Sequence, residues 1–287
     1  MVSQLSVFNL ITMRKISISQ ILKISIFLLL LVLTACEKEI DLDYHSVDAL
    51  YVAEGCLTQE KTTVRLTTSQ NMTDNKTNAH NVEGATIVLS SDGMVLDTLR
   101  YLRNGLYTST CTGLYPFTYT LDIYVDGRHF SSTSTMQQAP EVNSFRFVWK
   151  KVLTERMLFA ELKLQDIPGE NNYYFMHLYR NGIGYRWAVM TDANNPGEEL
   201  QQLFNCTTER ELNKNKADAL NEGDRIRLEI RSIDRRTYDY FYSMQVMDNS
   251  GSNPVANFSG GCLGYFSAFY VETRNYVFSR AEIEEED

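Results

Sequence analysis

From Asp48 to Thr135 apolar and polar residues alternate with a period of two, the spacing of strands that bury one face. Ala49-Leu50-Tyr51-Val52-Ala53-Glu54 runs into Gly55, and Thr63-Val64-Arg65-Leu66-Thr67 alternates without a break. A short apolar strand over Ala85 to Ser90 meets the turn Ser91-Asp92-Gly93 and a return strand from Val95 to Tyr101. Asn104-Gly105 supplies the positive φ that a tight hairpin needs. Tyr119 to Val125, Asp126-Gly127 and Arg128 to Thr135 form the clearest hairpin of the chain. The polar stretch Ser69 to Asn81 reads as an exposed loop.

Gln137-Gln138-Ala139-Pro140 interrupts this rhythm. Beyond it strands are expected at Ser144 to Lys150, Leu158 to Leu164 and Tyr173 to Arg180, with Asn181-Gly182 turning the chain into Tyr185 to Met190. Arg225 to Ile233 alternates again, with Ile226, Leu228 and Ile230 on one face. Between 237 and 247 the period changes: Tyr238, Phe241, Tyr242 and Gln245 fall at helical spacing, and Asp234 or Thr237 is placed to cap the start. A second short helix is expected from Glu198 to about Leu203, and two aromatic strands, Tyr265 to Val271 and Tyr276 to Ser279, precede an acidic tail. The fold class is therefore mainly β. An immunoglobulin-like β-sandwich is expected over residues 48–137, built from about seven short strands with turns roughly every 8–12 residues. A β-rich domain with one or two helices is expected over 141–287.

The N-terminal stretch follows a different logic. Residues 1–35 carry three basic side chains, Arg14, Lys15 and Lys23, and no acid. The apolar run Ile24 to Leu33 would rise only about 15 Å as a helix, half of a bilayer core, which suits a signal peptide rather than a membrane span. It ends in Leu33-Thr34-Ala35-Cys36, which resembles a bacterial lipobox with Cys36 as the lipid attachment point. Translation is expected to start at Met13, and residues 36–47 to form a lipidated tether. Glu37-Lys38-Glu39 and Ile40-Asp41-Leu42-Asp43 make that tether acidic, as in surface-export signals of Bacteroidota lipoproteins. The expected location is the outer membrane, at the cell surface, held by the acyl chains on Cys36. Loss of residues 1–35 removes three of the 27 basic side chains and none of the 36 acids, which takes the net charge from −9 to −12. Such a surface repels phosphate, so nucleic acid is not an expected partner. With 17 Tyr and 14 Phe the chain can bury a substantial core, which excludes disorder.

Candidate chemistry is sparse. Cys56, Cys111, Cys206 and Cys262 match no stapled scaffold and are expected to include at least two buried free thiols, with no pairing assigned. Gly260-Gly261-Cys262-Leu263-Gly264 fits a Gly-x-Cys-x-Gly elbow, but no His follows it and an aromatic strand does. Gly260, Gly261 and Gly264 are accordingly read as structural, setting a bend or close approach at a sheet edge. His45, His80, His129 and His177 are dispersed, and neither a metal nor a cofactor motif is present. Asp192-Ala193-Asn194-Asn195-Pro196-Gly197 has a faint likeness to a calcium loop and reads as a polar turn, because Leu203 stands where the bidentate Glu belongs. Glu198-Glu199 and Glu284-Glu285-Glu286-Asp287 read as solvated surface. The strongest binding feature is aromatic: Tyr173, Tyr174, Tyr179, Tyr185 and Trp187 on one hairpin, flanked by Arg180, Arg186 and Asn181. Ring faces beside polar forks hold sugars and aromatic ligands, whereas strict alternation would send half of these rings into a core.

Tyr51-Val52-Ala53-Glu54-Gly55-Cys56-Leu57-Thr58, Asn172-Tyr173-Tyr174 and Asn253-Pro254-Val255-Ala256-Asn257-Phe258-Ser259-Gly260-Gly261, continuing through Leu263-Gly264-Tyr265-Phe266-Ser267-Ala268, carry a resemblance. Together they resemble the Bacteroidota lipoprotein family catalogued as domain of unknown function 4249, over nearly all of the chain beyond Cys36. Cys56 departs from it, since an aromatic residue is usual after Glu-Gly. The resemblance implies no catalytic residues, and it implies a partner by association: a TonB-dependent outer-membrane receptor. The expected function is a non-enzymatic surface lipoprotein that binds a ligand or assists such a transporter. The alternatives are a structural or adhesive sandwich and, last, an envelope hydrolase built on a carboxylate pair.

Overall fold

The computed structural model describes residues 48–70, 80–168, 171–193, 197–214, 219–246 and 254–286. Cys36, the signal peptide, the start at Met13 and most of the tether lie outside the described residues. The first nine strands are β1 (Tyr51–Leu57), β2 (Thr62–Thr68), β3 (His80–Asn81), β4 (Thr86–Ser91), β5 (Met94–Thr98), β6 (Arg100–Arg103), β7 (Leu106–Ser109), β8 (Thr118–Val125) and β9 (Arg128–Thr135). The turns foreseen at Asp92-Gly93, Asn104-Gly105 and Asp126-Gly127 all have positive φ at both residues. His80 and Asn81, expected in a loop, instead form β3 and pair with Thr68 and Thr67 of β2.

Two sheets pack face to face. One runs β5-β4-β8-β9; the other contains β1-β2-β7-β6 and is extended on the far side of β1 by β16 (Leu263–Ala268). Ala53, Leu57, Val64, Leu66 and Phe266 from one sheet meet Ile87, Leu89, Leu121, Ile123 and Phe130 from the other, all nearly or wholly removed from water. Full burial of each such aliphatic or aromatic side chain contributes about 1.5–3 kcal/mol. The β1–β16 pairing is parallel, so the two strands have to come from distant parts of the chain.

A second sandwich follows the interruption at 137–141. It contains β10 (Glu141–Val152), β11 (Glu155–Gln165), β12 (Tyr173–Arg180), β13 (Ile183–Thr191), β14 (Glu199–Thr208), helix α1 (Glu209–Asn213), β15 (Arg225–Ile233), helix α2 (Arg235–Val246), β17 (Tyr270–Val277) and β18 (Glu284–Glu285). Its sheets are β14-β11-β10-β18 and β13-β12-β15-β17. Leu158, Leu162, Leu164, Tyr174, Met176, Leu178, Ile226, Leu228 and Phe278 fill the space between them. The outer face of the second sheet carries a smaller cluster of Phe175, Val189, Ile233, Phe241 of α2 and Phe269, against which Cys56 and Tyr265 of the first sandwich pack. Both sandwiches belong to one compact unit, Val47–Asp287, and β16 returns across the 137–141 interruption.

Two further expectations are corrected. Residues 198–203 are not helical: they enter β14, where Leu200, Phe204 and Cys206 turn inward and the backbone pairs with β11. A full ladder outweighs a weak local helix preference. The helix comes later, at Glu209–Asn213, where the Thr208 hydroxyl accepts from the Glu211 N–H at 3.3 Å. The closing aromatic strands break at Phe269 rather than between Val271 and Tyr276, because the chain leaves the sheet of β1 there and joins the sheet of β15. The acidic tail is exposed at Glu284, Glu285 and Glu286, as expected, and it is also held in place: Glu284 and Glu285 pair with Val148 and Trp149 of β10, and Glu286 reaches Lys150 at 2.8 Å.

Candidate functional site

The aromatic hairpin forms, with β12 and β13 joined at Asn181-Gly182, and its rings divide between two faces. Tyr174 and Tyr185 point into the second sandwich. The Tyr185 hydroxyl donates to the Cys206 carbonyl at 2.9 Å. Burial pushes the Tyr185 phenol well up, and burial also pushes the Cys206 thiol up to about 11. Tyr173, Tyr179 and Trp187 lie on the opposite face. Tyr173 packs against Tyr238 of α2 with centroids 5.0 Å apart. Tyr179 lies between the His177 ring at 4.0 Å and the Arg227 guanidinium at 3.7 Å. Trp187 stacks on Phe175 at 5.9 Å and keeps 37% of its surface exposed. The named rings therefore make no common platform.

Trp187 and Arg186 do share a cleft of about 390 Å³ between the edge strands β13 and β14. Gln202 and Asn205 of β14, Glu211 of α1 and Gln245 of α2 bring polar groups to it. Arg186 forms its back wall, donating to the carbonyls of Asn205 at 2.7 Å, Tyr185 at 2.8 Å and Cys206 at 3.4 Å. Its guanidinium lies 4.3 Å from the Tyr185 ring centroid, and no carboxylate among the described residues pairs with it. Gln245 accepts from the Val189 N–H at 3.2 Å, which ties the last turn of α2 to the open edge of β13. The cleft thus offers a ring, one cation, one carboxylate from Glu211 and several amides. That chemistry suits a polar, hydrogen-bonding ligand.

Beside it, on the outer face of the same sheet, Glu229 is held between Arg227 at 2.7 Å and Arg231 at 2.6 Å. Arg231 lies between the rings of Phe175 and Phe269, at 5.0 and 4.8 Å. Burial and the Arg231 charge lower the His177 pKa below 6.5, so its imidazole is neutral at pH 7. This triad was legible as Arg227-Leu228-Glu229-Ile230-Arg231, charges at every second position of an otherwise apolar strand. The cleft residues Gln202, Asn205 and Gln245 had no such signal, because two separate segments, β14 and α2, supply them.

The glycine-rich segment sits at the seam of the first sandwich. Gly260, Gly261 and Gly264 have φ of +78°, +84° and +94°. A methyl group on Gly264 would lie 2.0 Å from the Ala53 carbonyl oxygen, and one on Gly260 2.5 Å from that of His129. Asn257 completes the seam: its side-chain oxygen accepts from the Phe266 N–H at 2.9 Å and from the Ser132 hydroxyl at 2.5 Å. Cys262 is 1% exposed, burial pushes its thiol up to about 12, and the strand β16 follows it. A thiol so placed stays protonated, the opposite of a nucleophile. Cys56, Cys111, Cys206 and Cys262 are all free, the last two buried.

Among the described residues no group of three or more His, Cys, Asp or Glu side chains is arranged to hold a metal ion. No helix among them is long and apolar enough to cross a membrane. A search among curated proteins finds no match to the chain. A family model described as Domain of unknown function (DUF4249) matches residues 37–275, a span that takes in both sandwiches from β1 into β17 and every residue of the cleft and the glycine seam. The chain belongs to the DUF4249 family.

Proposed function

We propose that the protein is a non-enzymatic lipoprotein of the outer membrane, displayed at the cell surface, which holds a polar ligand in the β13–β14 cleft for itself or for a TonB-dependent receptor. The observation that carries this reading is the meeting of the half-open Trp187 ring and the Arg186 charge, unpaired by any described carboxylate, in one cleft. Its volume of about 390 Å³ falls within the range of small-ligand sites. The lipobox at Leu33-Thr34-Ala35-Cys36 supports the anchor. The adhesive alternative calls for an unpaired terminal strand to complete a neighbour's sheet, whereas β18 is paired with β10 of its own chain.

Two measurements test the proposal. Cys36→Ser should move the protein from the membrane to the soluble fraction; a variant that still sediments with membrane removes the lipid anchor from the account. For the cleft, wild type and Trp187→Ala are purified from detergent-solubilised outer membranes, and their bound small molecules are compared by mass spectrometry. Loss of one ring contact should cut retained ligand roughly tenfold without unfolding the protein. Equal recovery from both forms, or no reproducible ligand on the wild type, would show that the cleft is not the site.

A further inference from the structure

Among the described residues five carboxylates are buried: Glu161, Asp166, Asp192, Asp224 and Glu229. Three have cationic partners. Glu161 meets Arg146 at 2.6 Å and Lys150 at 3.6 Å, Asp224 meets Arg180 at 2.6 Å, and Glu229 meets Arg227 and Arg231. Asp166, 2% exposed, and Asp192, 0% exposed, have no basic partner among the described residues. A buried carboxylate without a counter-charge costs several kcal/mol, so an unpaired pair in one region calls for a positive charge.

The two lie at one end of the second sandwich, one from each sheet. Asp166 follows β11 and extends the inward alternation of Leu162 and Leu164. Asp192 follows β13 and faces Asn172, whose backbone N–H donates to one carboxylate oxygen at 2.9 Å and whose side-chain amide donates to the other at 3.2 Å. Between the sheets stands Tyr174, 1% exposed. Asn172 joins the two sides: the side-chain amide that donates to Asp192 also donates to the carbonyl of Ile167, the residue next to Asp166. The Tyr174 hydroxyl oxygen and Asp166 Oδ1 are both buried and neither has a hydrogen-bond partner among the described residues. The second Asp166 oxygen accepts from the Gly197 N–H. The Ile167 carbonyl, which accepts from the Asn172 amide at 2.9 Å, adds another oxygen nearby.

We propose that this end of the second sandwich binds a calcium ion, with the carboxylates of Asp166 and Asp192 as its charged ligands. Every donor present is oxygen, which selects a hard cation, and the absence of nitrogen or sulfur donors argues against zinc. Calcium accepts irregular shells that mix carboxylates, backbone carbonyls and water, as two carboxylates on facing sheets require. The ion would neutralise both buried charges and bridge the two sheets at one end. Burial closes this pair to hydrolytic use, since no substrate can reach it. The site shares no residue with the β13–β14 cleft and does not depend on the function proposed there. Asp192 opens the segment that had a faint likeness to a calcium loop; Asn194, Asn195 and Pro196 lie outside the described residues, and the assignment stands without them.

The test uses the detergent-solubilised full chain, stripped with EDTA and melted with and without calcium chloride. In about 10 mM calcium, roughly a hundredfold above the dissociation constant common for extracellular calcium modules, the melting temperature should rise by about 5 °C or more. Sodium chloride of equal ionic strength should not reproduce the shift. Asp166→Asn and Asp192→Asn should abolish it, and in EDTA Asp166→Asn should be at least as stable as wild type, because a neutral amide replaces an uncompensated charge. Asp166→Asn carries the test if Asp192→Asn, whose amide keeps only one of the two hydrogen bonds from Asn172, does not fold. A wild type that responds alike to calcium and sodium overturns the proposal. So do variants that keep the calcium shift, or variants as destabilised in EDTA as in calcium, since the carboxylates would then act as hydrogen-bond acceptors alone.

Discussion

The two sandwiches are alike in outline and opposite in what they bury. In the first, the buried polar side chains are hydroxyls and one amide: Thr62, Ser91, Ser109, Ser132, Ser134, Asn257 and Ser267. In the second, the carboxylates Glu161, Asp166, Asp192, Asp224 and Glu229 are buried, the last two keeping a thin exposed margin. Hydroxyls and an amide carry no charge that needs a counter-ion, so this body is chemically quiet; at its seam the Asn257 side-chain oxygen is paired, while the Asn257 amide nitrogen and the Ser267 hydroxyl have no partner among the described residues. Buried charges are costly, need partners and recur where a protein binds something. The first sandwich therefore acts as the frame, while the cleft, the Arg227–Glu229–Arg231 triad and the Asp166–Asp192 pair all fall in the second. The frame is closed by β16, a strand from the far end of the chain, so the first half is not complete without the second.

The comparison can be broken hardest at that closure. Gly264→Ala forces a methyl group into the Ala53 carbonyl at 2.0 Å and requires a side chain at φ +94°. A loss of more than about 4 kcal/mol is expected, enough to prevent folding, and urea titration would show it. A variant within about 1 kcal/mol of wild type would mean that β16 does not seal the frame.

Next comes the charge triad. Glu229→Gln leaves Arg231 buried without its carboxylate, an expected cost of about 3–5 kcal/mol. Burial alone would raise the Glu229 pKa, but Arg231 and Arg227 outweigh it and hold the group below 4.5. The unfolded chain then binds the proton more readily than the folded one. The stability from this group is present above its unfolded pKa and is lost as pH falls through the lower folded value. The acid limb of the stability–pH curve should be shallower in Glu229→Gln than in wild type. Parallel curves would assign the acid limb to other groups.

The smallest effect separates the two readings of the glycine motif. Gly261 has φ +84° with open space around it, so Gly261→Ala should cost about 1–2 kcal/mol from backbone strain alone. Cys262→Ala should cost less, and the thiol should resist alkylation in the folded protein because burial keeps it protonated. Rapid, selective labelling of Cys262 would reverse this account.

The period-two pattern was enough to place most strands, and the Asx-Gly pairs placed four turns, because strand faces and positive φ are local properties. Asp234 was legible as a helix cap, and it does accept from the Thr237 N–H at 2.8 Å. That its other oxygen also accepts from the Thr135 N–H of β9 at 3.1 Å, tying the helix to the first sandwich, was not legible. Residues 198–203 were misread as helix because the ladder with β11 that decides their conformation is formed by residues some forty positions away.

The candidate site divides along the same line. Sequence by itself determined that the chain is mainly β, that an aromatic hairpin lies at 173–190, and that Gly260, Gly261 and Gly264 serve the backbone. Only the tertiary structure decided which of those rings stay open to a ligand, since alternation sends Tyr174 inward and Trp187 outward but does not say which face is covered. It alone set Trp187 and Arg186 beside Gln202, Asn205 and Gln245, and it alone brought Asp166 and Asp192 to one end of the second sandwich, on either side of Asn172. A sequence specifies which side of a strand a residue occupies. Which charges then share a desolvated space depends on how the sheets pack, and no local pattern records that.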